Sequence, residues 1–147
     1  MKQTLALLVF LTAITPKISA QNNPDACLGV WLTGSQKGHI QVFKQDGRYF
    51  GKIVWLKDPN DPKTGKPPVD SKNPDVGKHT NPILGLTNLR DLKPDGENTW
   101  DGGKIYDPEN GKEYSCKMKL INANRLDVRG YVGISLMGRT ETWKRVK

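Results

Sequence analysis

The chain is poor in everything that builds helices or catalytic centres. After residue 20, no window of twelve residues carries an apolar period of 3.6 without a glycine or proline interrupting it, which excludes a helical bundle and any fold built on crossover helices. Cysteine and histidine occur twice each, at Cys27, Cys116, His39 and His79. Two cysteines so far apart, with two scattered histidines, do not make a zinc site. Ser35, Ser71, Ser115 and Ser135 lack a Gly-x-Ser-x-Gly context, and no pair of carboxylates has a spacing that points to an acid and base couple. Asp58-x-Asn60-Asp61 offers oxygen ligands without the rest of a calcium loop. The reading is therefore of a non-enzyme with no metal and no cofactor.

What is present begins with an export signal. Met1-Lys2 is followed by an apolar stretch from Leu5 to Ile14, then Pro16, and Ile18-Ser19-Ala20 at the positions a signal peptidase reads. The apolar run is too short to span a bilayer, which needs ~20 residues, so cleavage is favoured over an uncleaved anchor. Pro24-Asp25-Ala26 before Cys27 is a poor lipobox. Residues 1–20 are read as a signal peptide and 21–147 as one domain, periplasmic or secreted and not an integral membrane protein. Removing Lys2 and Lys17 lowers the net charge of +8 by two, to +6. That excess is spread along the chain without a basic helix or nucleic-acid module, and nucleic acid is not an expected partner. In an oxidising compartment an even cysteine count argues for a Cys27–Cys116 disulfide, against the alternative of two buried thiols that never meet. Closing a loop of about 90 residues in this way contributes up to ~4–5 kcal/mol in the chain-entropy model.

Strand signals fill the rest. Alternation and turn chemistry give strands at Gly29–Thr33, His39–Lys44, Arg48–Lys57, Ile83–Leu92, Asn98–Tyr106, Glu113–Ile121, Arg125–Val132 and Arg139–Val146. Asp46-Gly47 is a hairpin turn of the kind that needs positive φ. In Glu113–Ile121, Tyr114, Cys116, Met118 and Leu120 share one face. Between Asp58 and Pro82 the chain holds Pro59, Pro62, Pro67, Pro68, Pro74 and Pro82 and few apolar side chains, so it reads as a long loop: a lid, a binding loop, a tether or an insert without a role. Eight short strands in hairpin succession predict an all-β antiparallel up-and-down barrel, with a sandwich as runner-up.

Gly29-x-Trp31 at the first strand, with Arg139 or Arg145 on the last, resembles the opening tryptophan and closing arginine of lipocalin and fatty-acid-binding barrels. A guanidinium on an indole gains ~0.5–2 kcal/mol and seals a barrel end, so Trp31 is read as structural. A wider set of motifs runs along the chain: Gly29-Val30-Trp31, Gly47-Arg48-Tyr49-Phe50-Gly51-Lys52-Ile53, Gly102-Gly103-Lys104-Ile105-Tyr106-Asp107-Pro108, Leu126-x-Val128-Arg129-Gly130-Tyr131 and Gly138-Arg139-Thr140-x-Thr142-Trp143. Together they resemble a family of small exported bacterial proteins known only as a domain of unknown function. The resemblance implies a lipocalin-like barrel and brings no catalytic residues.

The last strand carries the candidate site. Alternation puts Arg139, Glu141, Trp143 and Arg145 on one face, and the tryptophan turns that face inward. A buried arginine must be paired, either with Glu141 or with the carboxylate or phosphate of a bound molecule, for which Trp143, Trp55, Tyr49 and Tyr106 would supply walls. The tip Ile134-Ser135-Leu136-Met137 reads as a plug into the barrel end, or else a portal or contact. The expected function is binding of a small amphipathic or anionic ligand inside the barrel. The alternative is a packed barrel that meets a protein or a surface polymer of the cell envelope.

Overall fold

A computed structural model describes residues 22–147. The expected signal segment lies outside the described residues. Eight antiparallel strands follow one another: β1 (Gly29–Leu32), β2 (Gly38–Gln45), β3 (Arg48–Leu56), β4 (Thr87–Pro94), β5 (Thr99–Asp107), β6 (Lys112–Asn122), β7 (Arg125–Tyr131) and β8 (Gly138–Arg145). Each pairs with its neighbours in sequence, and β1 also pairs with β8, Trp31 opposite Arg145, so the sheet closes into a barrel and leaves no edge. The up-and-down barrel expected from the hairpin rhythm is the fold. Among the described residues no helix is long and apolar enough to cross a membrane.

Alternation explains which residues fill the centre. Trp31, Ile40, Val42, Tyr49, Ile53, Leu89, Leu92, Trp100, Met118, Leu126, Val128 and Trp143 are all buried in one cluster. Midway along the barrel the packing leaves no room for a methyl group. A Cβ on Gly51 would stand 2.8 Å from Ile40 Cγ2 and 2.9 Å from Leu89 Cβ, and one on Gly103 would stand 2.5 Å from Leu92 Cγ. These two glycines let large side chains from neighbouring strands lie across them.

Three features differ from the sequence reading. β4 begins at Thr87, four residues later than expected, because Gly85 at φ 92° turns the chain and Leu86 N–H donates to Ile83 O. Cys27 and Cys116 are both free and buried, so the expected disulfide is not formed. Cys27 lies in a 3-10 turn outside the sheet, its thiol directed at Pro24 O, whereas Cys116 faces inward from β6 between Gly103 and Gly130. The tip of the β7–β8 loop does not plug the barrel either: Ile134, Leu136 and Met137 are exposed.

The long connection between β3 and β4 is folded. Asp70, 1% exposed, accepts hydrogen bonds from Tyr106 Oη at 2.7 Å and Asn73 Nδ2 at 2.7 Å. Val69 bridges Pro82, the His79 ring Nε2 lies 2.7 Å from Asn73 O, and Lys72 Nζ donates to Glu109 O at 2.6 Å. Ile83 and Leu86 at its returning end pack on the core. The segment is a strap laid against β5 and the β5–β6 turn.

Candidate functional site at the mouth of the barrel

The two ends of the barrel differ, and the difference places the site. At one end the 3-10 turn Pro24–Cys27, begun by Asn23 whose side chain accepts from Asp25 N–H, forms a floor. Its carbonyls meet the donors of the buried aromatics: Trp31 Nε1 donates to Cys27 O at 2.9 Å and Trp100 Nε1 to Pro24 O at 3.1 Å. Tyr49 Oη donates to Asp25 Oδ1 at 2.5 Å, and Lys44 Nζ lies 3.1 Å from the same oxygen. The Tyr49 hydrogen bond and then Lys44 hold the Asp25 carboxyl below its usual range, while burial and Asp25 push the Tyr49 hydroxyl up. Arg145 completes the floor. Its guanidinium lies 4.1 Å from the Trp31 ring centroid and donates to Leu28 O and Ala26 O at 2.7 Å each and to Ala123 O. Of the two arginines considered for that role, Arg145 fills it.

At the other end the same inward face of β8 emerges at the rim. Trp143 is buried opposite Leu126; Glu141, opposite Val128, is half-buried; Arg139, opposite Gly130, is exposed. Trp143 Nε1 donates to Glu141 Oε2 at 3.4 Å. Among the described residues neither Arg139 nor Glu141 has an ion-pair partner within 4.0 Å, so the internal Arg139–Glu141 pair allowed by the sequence is not made. Gly34, in the β1–β2 loop, lets that loop close on Glu141, since a Cβ there would stand 3.2 Å from Glu141 Cβ. Gly130 faces Ile105 Cγ2 and the Tyr114 ring at ordinary contact distance, so Tyr114 and Ile105 form the facing wall. Tyr114 Oη accepts from Asn110 Nδ2 at 3.1 Å.

The remaining residues named from the sequence do not meet at this mouth. Trp55 is exposed and stacks on His39, centroids 4.3 Å apart, because the bulge at His39/Ile40 turns it to the outer surface. Tyr106 holds the strap through Asp70, with burial and then that bond raising its hydroxyl to about 12. Tyr49 and Arg145 belong to the floor. What sequence reasoning missed is Tyr114 and Gly34 at the mouth, and Asp25 and Trp100 in the floor. Tyr114 shares the inward parity of Cys116 and Met118 and was legible from it; Asp25 and Gly34 carry no periodic signal.

Two contacts brace the rim. Lys37 Nζ in the β1–β2 loop lies 2.7 Å from Glu109 Oε1 in the β5–β6 turn, which also receives the strap through Lys72. Glu109 in turn holds Lys37 above its usual range. Two surface depressions of about 420 Å³ each lie elsewhere, one beside Glu97, Asn98 and Ile121, the other between Asp101, Lys117, Lys119, Asp127 and Arg129 on the outer wall.

A closed eight-stranded barrel with a 3-10 floor and an arginine stacked on the opening tryptophan is a lipocalin-like architecture. The chain belongs to a family described as "uncharacterized protein conserved in bacteria (DUF2147)", whose model matches residues 29–145. Among solved structures it is similar to protein HP1028 from the human pathogen Helicobacter pylori, described as belonging to the lipocalin family, with 25% identity over 82% of each chain and a TM-score of 0.70. No curated protein sequence is significantly similar to it.

Proposed function

We propose that the protein is an exported, non-enzymatic binding protein that holds a small anionic or amphipathic molecule at the mouth of the barrel. The observation that carries this is the pair Arg139 and Glu141. They stand at successive inward positions of β8, above a packed centre and next to Tyr114 and Ile105, and neither is neutralised by a neighbour. A planar guanidinium at a rim pairs a carboxylate or phosphate in two parallel hydrogen bonds, and the ring and aliphatic side chains beside it cover an apolar body. Glu141 takes a donor group or repels a second anion, which orients the molecule with its charged end toward Arg139. Because Trp31, Trp100 and Trp143 fill the lower barrel, the ligand sits at the rim and not deep in the interior.

The filled centre also favours a second reading, in which the barrel is a rigid scaffold and its loops meet an envelope component. The anionic amphipathic dye 1-anilinonaphthalene-8-sulfonate separates the two. Rim binding predicts saturable fluorescence enhancement, at least tenfold weaker in Arg139→Ala, where one charged anchor is lost. Enhancement unchanged in Arg139→Ala counts against the rim site and for the scaffold.

A further inference from the structure

The β7–β8 loop holds its apolar side chains away from the protein. Val132 is 67% exposed, Ile134 62%, Leu136 85% and Met137 69%. The loop is built to keep them there. Arg129 reaches from β7 under the loop and donates to Ser135 O at 2.7 Å, to Leu136 O at 3.4 Å and to Thr140 Oγ1 at 2.9 Å, while Met137 N–H donates to Ile134 O at 3.0 Å. A cluster of four exposed aliphatic side chains on a braced hairpin marks an interaction surface.

Cations outnumber acids around its root, Lys117, Arg129 and Arg139 against Glu141 and Asp101. Arg139 leaves the loop directly, and Lys117, Arg129 and Thr140 form one cross-strand row beneath it. Asp101 accepts from Tyr131 Oη at 3.3 Å and Glu141 from Trp143 Nε1 at 3.4 Å, while Glu109 is paired with Lys37 and Glu113 with Arg90, whose guanidinium lies 2.8 Å from it. A second copy would bring the same cations against themselves, and the positive net charge, +6 without Lys2 and Lys17, adds to that repulsion.

We infer that the Val132–Met137 hairpin is a docking wedge for an anionic lipid surface, its aliphatic side chains entering the interface and Arg139 and Lys117 meeting the headgroups. Apolar insertion and attraction to anionic lipid act together in such surface binding. Arg139 also serves the proposed mouth site, so the test is read at Leu136, which is 85% exposed and takes no part in that site.

The test is sedimentation of the protein with vesicles of phosphatidylcholine and with vesicles of equimolar phosphatidylcholine and phosphatidylglycerol. The expected result is binding to the anionic vesicles, weak binding to the neutral ones, and a loss of roughly tenfold or more in Leu136→Asp, which removes a large apolar group and adds a like charge to the lipid. Leu136 touches none of the core, so the variant keeps the wild-type circular dichroism. Equal sedimentation of wild type and Leu136→Asp, no sedimentation of either, or a dimer that Leu136→Asp dissociates in the absence of lipid would each overturn the proposal.

Discussion

Arg145 is the residue on which the floor of the barrel depends, and its removal gives the sharpest energetic prediction. The side chain stacks on Trp31 and donates to three carbonyl oxygens, those of Ala26 and Leu28 in the 3-10 turn and its cap and that of Ala123 in the β6–β7 turn. Stacking of this kind contributes ~0.5–2 kcal/mol and a hydrogen bond from a charged donor ~1.5–3 kcal/mol. Water replaces part of this at a half-exposed site, so Arg145→Ala is expected to cost about 3–4 kcal/mol, a large share of the stability of a small domain. Arg145→Lys keeps the charge but cannot present a fork to three acceptors, and falls between the two. Urea unfolding followed by tryptophan fluorescence reads the change, with circular dichroism as a second probe of the same transition. Since the floor and the mouth lie at opposite ends, dye affinity at Arg139 stays the same in the folded variant. A cost under about 1 kcal/mol for Arg145→Ala would refute the role given to this arginine.

Tyr106→Phe removes one of two donors to the buried Asp70 carboxylate, and is expected to cost about 1–3 kcal/mol and to raise amide exchange in residues 57–86 selectively; uniform protection of the strap in the variant would show that the bond does not hold it. The two thiols are pushed by burial from 9.0 up to about 12, and so the fold favours their protonated forms. That stabilisation is whole below pH 9 and is lost as the pH rises toward 12, joined above pH 10 by Tyr106, so the denaturation midpoint falls on the alkaline side of that window. Thiol titration of the native protein is expected to find neither cysteine reactive, and to find both only after unfolding. Gly111→Ala sets a Cβ against the Lys72 carbonyl at a φ of 71°, and is expected to lower the melting temperature by several degrees by lifting the strap from the β5–β6 turn.

The barrel was legible because its signals are local. Each hairpin declares itself through a turn such as Asp46-Gly47, where φ is 51° and 73°, and each strand through alternation, as in the burial of Cys116 and Met118 and the exposure of Lys119. The inward parity of Arg139, Glu141 and Trp143 followed from the same rule. What alternation does not give is distance along the barrel: it placed Arg139 and Arg145 on one face, yet one lies at the rim and the other in the floor. A bulge shifted Trp55 to the outer wall, since one extra residue reverses every side chain beyond it. The strap was illegible for a different reason. Its order comes from Asp70 meeting Tyr106, 36 residues away, and prolines that look disordering in sequence are compatible with a chain held by side-chain bonds. The disulfide expected from cysteine count failed because count carries no geometry.

The account's central claim is that the mouth holds an anionic or amphipathic molecule against Arg139. Native mass spectrometry of wild type and Arg139→Ala, purified gently from the envelope of an expressing bacterium, tests it most directly. The account predicts a stoichiometric small-molecule adduct on wild type that denaturing analysis identifies as an anion, and its loss from Arg139→Ala. A bare mass for wild type, in a preparation that also fails to bind the dye, would contradict it.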